Sequence, residues 1–111
     1  MFAQDMNDMK DNLVVSTPSA YAYPLLVKQL LTNAMCLHGD QAISYRGEMR
    51  YTYRDFHQRL GRLANALGAL GVRHGSTVAV MDWDSHRYLE CYFGVPMMGA
   101  TLFTEIGRAH V

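Results

Sequence analysis

Three side chains with metal-binding chemistry crowd one short stretch: Asp82, Asp84 and His86, with Trp83 among them. Two carboxylates and an imidazole are the donor types of a cation site. The same stretch lies between an apolar strand and a helix start, where Asp and Ser accept backbone N–H bonds as caps. Capping is the favoured reading, and no metal ligand is assigned. Trp83 is expected to pack in the core or against a neighbouring subdomain. Its other use would be to line a cleft beyond the strand ends. Glu90 falls near an apolar helical face and is expected to pair with Arg87 one turn back, or else to sit at an interface. Cys36 and Cys91 read as small buried hydrophobes. Met97 and Met98 read as gap-filling core, with contact to an acyl chain as the alternative. Arg46, Arg50, Arg54, Arg59 and Arg62 read as a solvated face rather than a nucleic-acid site.

No constellation among these residues performs a reaction by itself. Neither G-x-G-x-x-G nor G-x-x-x-x-G-K-[ST] occurs, and no Ser-His-Asp pattern is evident. No catalytic, cofactor-binding or metal-binding residue is assigned. Composition narrows the class. Half of the 111 residues are hydrophobic and 18% are charged, which calls for a packed core. The length suits one small domain. Ten basic and ten acidic side chains cancel, so no global field favours nucleic acid or an anionic membrane. Cys36 and Cys91 lack C-x-x-C spacing, which suits reduced thiols in the cytoplasm. No apolar run approaches the ~20 residues of a membrane span.

The elements that must position these residues are legible in the pattern. Residues 1–22 are polar, Met-rich and non-periodic, and read as a flexible arm. A helix is expected from Pro24 to Leu37, with Leu26, Val27, Leu30, Leu31 and Ala34 on one face and Gly39 as its stop. Strands Ala42–Arg46 and Met49–Tyr53 flank Gly47-Glu48 as a two-residue hairpin turn. A second helix, Tyr53 to Leu70, opens with a Thr52-x-x-Asp55 capping box. Its apolar stripe is Phe56, Leu60, Leu63, Ala64, Leu67 and Leu70. Gly61 and Gly68 share a face, which suggests that another backbone approaches there. Thr77–Met81 reads as a strand buried on both faces. Asp84 or Ser85 caps a third helix carrying Tyr88, Leu89, Tyr92, Phe93 and Pro96. After Gly99, Ala100–Thr104 reads as a second buried strand. Strand, helix and strand in that order make a βαβ unit with parallel strands. The fold class is α/β.

The last seven residues, Glu105-Ile106-Gly107-Arg108-Ala109-His110-Val111, resemble the translation of a short-read sequencing adapter. GAG ATC GGA AGA GCA CAC GTC encodes them, and the adapter's next triplet, TGA, is a stop. The expectation is a natural chain that continues past Thr104, with residues 105–111 excluded from fold reasoning.

Three stretches carry a family resemblance. Tyr51-Thr52-Tyr53-Arg54-Asp55-Phe56 resembles the first core motif, L-T-Y-x-E-L, of the adenylate-forming superfamily. Leu63-Ala64-Asn65-Ala66-Leu67, Leu70-Gly71-Val72, Gly75 and Val78-Ala79-Val80 follow its helix–turn–strand pattern. Arg87-Tyr88-Leu89-Glu90-Cys91-Tyr92-Phe93-Gly94-Val95-Pro96-Met97-Met98-Gly99-Ala100 resembles the R-x-L-E-x-Y/F-F-A-V-P-x-M-G-A run of fatty-acyl-CoA synthetases. The resemblance covers residues 24–104. It departs at His74-Gly75-Ser76, where Pro-Gly-Asp is usual, and at Phe103, where many relatives carry His. It implies the opening of a large N-terminal domain, ordered as helix, hairpin, helix and βαβ, in residues 23–104. The implied parent is an AMP-forming ligase that joins a fatty or other carboxylic acid to CoA through an acyl-adenylate. It would use ATP, Mg²⁺ and CoA, with a homodimeric parent left open. The superfamily's phosphate loop, its ATP- and Mg²⁺-contacting motif, its ribose-binding Asp and its C-terminal Lys lie downstream of this segment. The chain alone is therefore expected to be inactive and to bind none of these cofactors. The alternatives are a non-catalytic α/β interaction module and a fragment of another adenylate-forming enzyme.

Overall fold

The computed structural model describes Val15 and residues 17–105. Most of the expected arm (residues 1–14 and 16) and most of the expected adapter-like tail (106–111) lie outside the described residues. The elements run α1 (Val27–His38), β1 (Ala42–Tyr45), β2 (Met49–Thr52), α2 (Tyr53–Ala69), β3 (Thr77–Met81), α3 (His86–Met97) and β4 (Thr101–Glu105). This is the expected order of helix, hairpin, helix and βαβ.

Helix α1 starts at Val27 rather than Pro24, with Leu26 as an extended N-cap that makes no side-chain cap bond. Without a capping side chain, nothing recruits Pro24 into the first turn. The face expected to be apolar divides: Leu31 is buried, while Leu30 is 72% exposed. Gly39 caps the helix at φ −53, so it stops the helix in right-handed geometry.

The hairpin pairs Ala42 with Thr52 and Tyr45 with Met49 in antiparallel register. Its turn lies one residue earlier than Gly47-Glu48. Glu48 N–H donates to the Tyr45 carbonyl at 3.0 Å, and Arg46 (φ 53) and Gly47 (φ 70) are the central residues. Positive φ at both matches the strand twist, which is worth the strain at Arg46. Ile43, Tyr45, Met49 and Tyr51 alternate with exposed Ser44 and Arg50 and face inward.

Helix α2 carries the full capping box. Thr52 Oγ1 accepts from Asp55 N–H at 3.1 Å, and Asp55 Oδ2 accepts from Thr52 N–H at 3.1 Å. Phe56 and Leu60 are buried, but Leu70 is 82% exposed, because the helix ends at Ala69 before that turn reaches the core. Gly61 and Gly68 face open space, with nothing within 4 Å of a Cβ built on either. The close approach lies instead at Gly94 of α3, where a Cβ would stand 2.8 Å from Leu63 Cδ2. The two helices pack together there.

Strands β3 and β4 pair in parallel, Thr77 with Thr101 through Met81 with Glu105. They form a βαβ unit with α3, as expected. β4 runs one residue later than Ala100–Thr104. Both strands were expected to be covered on two faces, yet only one is. Val78 and Val80 turn toward α3, whereas Ala79, Met81 (69%) and Phe103 (57%) face solvent. A two-stranded sheet with one helix layer has nothing to put on its second face. The core joins Leu31, Tyr51, Phe56 and Leu60, with Ile43, Met49, Leu89 and Phe93 packed against it. Burying Phe56 and Leu60 contributes about 2–3 kcal/mol each. Tyr88 and Val95 of α3 itself are fully buried.

Candidate functional site

Glu90 is the most enclosed carboxylate among the described residues, at 6% exposure. An isolated buried carboxylate is costly, so it must be paired. Its partner is Arg59 of α2, not Arg87 of its own helix. Arg59 Nε bonds Glu90 Oε1, and Nη2 bonds Oε2 at 3.4 Å. Tyr51 Oη of β2 donates to Oε1 at 3.0 Å. The Arg59 guanidinium lies over the Tyr51 ring, 5.3 Å from its centroid. Arg87 is exposed to solvent. Burial, then the bond to Glu90, pushes the Tyr51 hydroxyl well above its ordinary pKa, so it stays protonated and donates. The hydrogen bond that Arg59 donates to Glu90 raises the Arg59 pKa as well. The trio ties hairpin, α2 and α3 together.

One turn before Glu90, His86 packs on Tyr45 (ring centroids 5.5 Å apart) and meets Tyr51 edge-on at 5.9 Å. Its Nδ1 is buried without a partner among the described residues. An open cavity of about 270 Å³ adjoins it, walled by Tyr45, Asp84, Ser85, Tyr88 and Tyr92. Ser85 is the N-cap of α3, accepting from Tyr88 N–H at 3.3 Å. Ser85 in turn donates to Asp82 Oδ2, and Asp82 Oδ1 accepts from Trp83 N–H at 2.7 Å. These bonds hold the Asp82 carboxyl below its usual range, the Ser85 hydroxyl first among them. Asp82 thus serves the cap, as its position suggested. Asp82 is engaged at the cap, whereas Asp84 and His86 border the open cavity, so the three side chains do not form one donor set. No group of three His, Cys, Asp or Glu poised for a metal occurs among the described residues.

The other singled-out residues separate. Trp83 is 56% exposed just beyond β3, so it does not pack in the core of the described residues. Cys36 is exposed on the outer side of α1, which corrects its reading as a buried hydrophobe. Cys91 is half-buried, and burial raises its thiol pKa. Met97 is 40% exposed, and with Met98 it borders a shallow groove between α2 and α3. Arg46, Arg50, Arg54 and Arg62 are solvent-exposed, as expected, and Arg59 is the exception. Arg46 stacks 5.2 Å from the Tyr45 ring centroid, and Arg54 pairs with Asp40 at 2.6 Å in solvent. Arg59 is drawn into the network. The Tyr51–Glu90–Arg59 arrangement locks the hairpin, α2 and α3 together.

Residues 32–104 match the AMP-binding enzyme family. A long-chain-fatty-acid–CoA ligase of Thermus thermophilus is 44% identical over 82 residues, which is 70% of this chain and 15% of that protein. A peroxisomal acetate/butyrate–CoA ligase of Arabidopsis thaliana is 38% identical over 72 residues, 65% of this chain and 13% of its own length. The solved structure of an anthranilate CoA ligase in complex with anthranoyl-AMP superposes with a TM-score of 0.68 at 23% identity, over 77% of this chain and 17% of that one. At that identity the superposition speaks for the fold. The chain spans only about one seventh of the length of the curated relatives it matches.

Proposed function

The chain belongs to the AMP-binding enzyme family, and from that premise we propose that it is the opening scaffold of a longer AMP-forming acyl-CoA synthetase. The parent activates a fatty acid with ATP and passes the acyl group from AMP to CoA, with release of pyrophosphate. The 44% identity to a long-chain-fatty-acid–CoA ligase carries the choice of substrate class. The parent works in the cytoplasm. No helix among the described residues is long and apolar enough to cross a membrane, which is compatible with that location.

The described residues do not fit Mg²⁺ or a triphosphate. Glu90 is committed to Arg59 and Tyr51, and Asp82 to Ser85 and Trp83. No step of the reaction is assigned to this segment. Its part is mechanical: the Tyr51–Glu90–Arg59 trio fixes the hairpin and two helices as one block on which the rest of the domain builds. Residues 105–111 are adapter-derived on this reading. The pairing of Glu105 with Met81 uses only main-chain groups, which any residue supplies.

The test is ATP–pyrophosphate exchange with fatty acids of graded length, run on the purified chain and on the product of the complete natural locus. Exchange by the locus product and none by the chain is expected. Exchange by the chain itself would overturn the scaffold reading. A locus that ends naturally, with a product inert toward every acid, would favour a non-catalytic interaction module.

A further inference from the structure

Four elements of the chain wall an apolar cavity of about 250 Å³. Leu31 and Ala34 of α1, Ile43 of β1, Phe56 of α2, and Leu89 and Phe93 of α3 line it. Phe56 and Phe93 meet edge to face in its wall, with ring centroids 5.7 Å apart. Leu30, 72% exposed, and the half-buried Met35 and Tyr53 complete the lining on the solvent side. Ala34 carries the smallest side chain of the set. Its methyl leaves space that the facing rings and aliphatic chains, held in their rotamer wells, fill only in part. Every wall belongs to residues 30–93, so this segment forms the cavity by itself.

We propose that this cavity binds one small neutral apolar molecule, the size of a single aromatic or cycloaliphatic ring with a short alkyl substituent. No charged side chain lines the space, and Tyr53 alone brings a polar side-chain atom. A water needs two to four polar partners, which such a lining does not offer. A charged group would give up its hydration with nothing in return. An apolar body instead restores the dispersion contacts that the lining atoms lack around open space. An apolar cavity of about 150 Å³ stays dry and takes up benzene, and this one is larger. The Phe56 and Phe93 rings offer an aromatic guest the edge-to-face contacts they already make with each other.

Entry passes Leu30 and Met35. The exposed leucine is free to swing aside, and the unbranched thioether adapts its shape to a guest. The site is independent of the activity proposed above, because the carboxylate of an acid substrate finds no partner in this lining. With six heavy atoms, benzene should bind with a dissociation constant on the order of 1 mM.

Urea unfolding of the full chain with benzene as the probe tests this, in a Met81→Glu/Phe103→Glu background that removes the apolar sheet face. At about 10 mM benzene the folding equilibrium constant should rise about tenfold, and the urea midpoint with it. Ala34→Leu should raise the midpoint without benzene and abolish the benzene-induced shift. Benzylammonium, a similar ring bearing a charge, should leave the midpoint unmoved. With Ala34 intact, nuclear Overhauser contacts from benzene to the Phe56 and Phe93 rings should place the guest, whatever becomes of Ala34→Leu. A midpoint that benzene does not move, or moves equally in Ala34→Leu, would overturn the proposal. So would an equal shift by benzylammonium, or benzene contacts confined to surface residues.

Discussion

Replacing Glu90 by Gln removes one charge and almost no volume from the junction of β2, α2 and α3. Tyr51 keeps an acceptor, since the amide oxygen can take the hydroxyl now 3.0 Å from Glu90 Oε1. What disappears is the charge-assisted pair to Arg59. Hydrogen bonds to charged groups are worth about 1.5–3 kcal/mol and neutral ones about 0.5–1.5, so each bond that changes class costs about 1 kcal/mol. Arg59 makes two such contacts, but its side chain is 32% exposed and can turn partly to water. The net cost is therefore about 1–2 kcal/mol, not the 3–5 kcal/mol of a fully buried broken pair. Urea unfolding followed at the single tryptophan, Trp83, and by circular dichroism reads this directly. The background should carry Met81→Glu/Phe103→Glu to keep the sheet face from aggregating. With a urea slope of about 1.5 kcal/mol per molar, the midpoint should fall by about 1 M. Arg59→Met should cost more, because it strands a carboxylate that is only 8% exposed. The double variant Arg59→Met/Glu90→Gln should cost clearly less than the sum. An unmoved midpoint in Glu90→Gln, or strict additivity in the double variant, would refute the idea that the trio locks the three elements.

Gly94→Ala should destabilise by about 1–3 kcal/mol, because its Cβ meets Leu63 Cδ2 at 2.8 Å between two packed helices. Gly61→Ala and Gly68→Ala point into open space on α2 and should each stabilise by about 0.5–1 kcal/mol, read by the same urea midpoints. Asp82 has a lowered folded pKa, so its contribution is present above the ordinary carboxylate value near 4 and disappears as pH falls through the folded value. The midpoint of Asp82→Asn should therefore match wild type in strong acid and fall below it as pH rises through 4, as a titration of urea midpoints from pH 2 to 7 would show.

Local rules carried most of the fold. The capping box at Thr52 and Asp55, the alternation through Ile43, Tyr45, Met49 and Tyr51, and the stripe around Phe56 and Leu60 each follow from short-range geometry. The errors needed information from elsewhere in space. A lone Glu near an apolar face tells that it must be paired, but not with whom. Arg87 is nearer in sequence and Arg59 nearer in the fold. Arg59 is three residues from Phe56, at the rim of the buried stripe of α2, and that was the available signal. Gly61 and Gly68 shared a face that happens to be the solvent side, while Gly94, inside a motif, was the crossing point. The apolar strands Thr77–Met81 and Ala100–Thr104 read as doubly covered because their composition is suited to it. The described residues supply one cover only.

The measurement that bears most directly on the central claim is the sequence of the source locus beyond the codon for Thr104. The scaffold reading predicts an open frame that departs from Glu105-Ile106-Gly107-Arg108-Ala109-His110-Val111. Roughly a domain length on, at 100–200 residues, that frame should carry a Ser/Thr/Gly-rich loop with a lysine. Genomic DNA encoding those seven residues followed by a stop would contradict it.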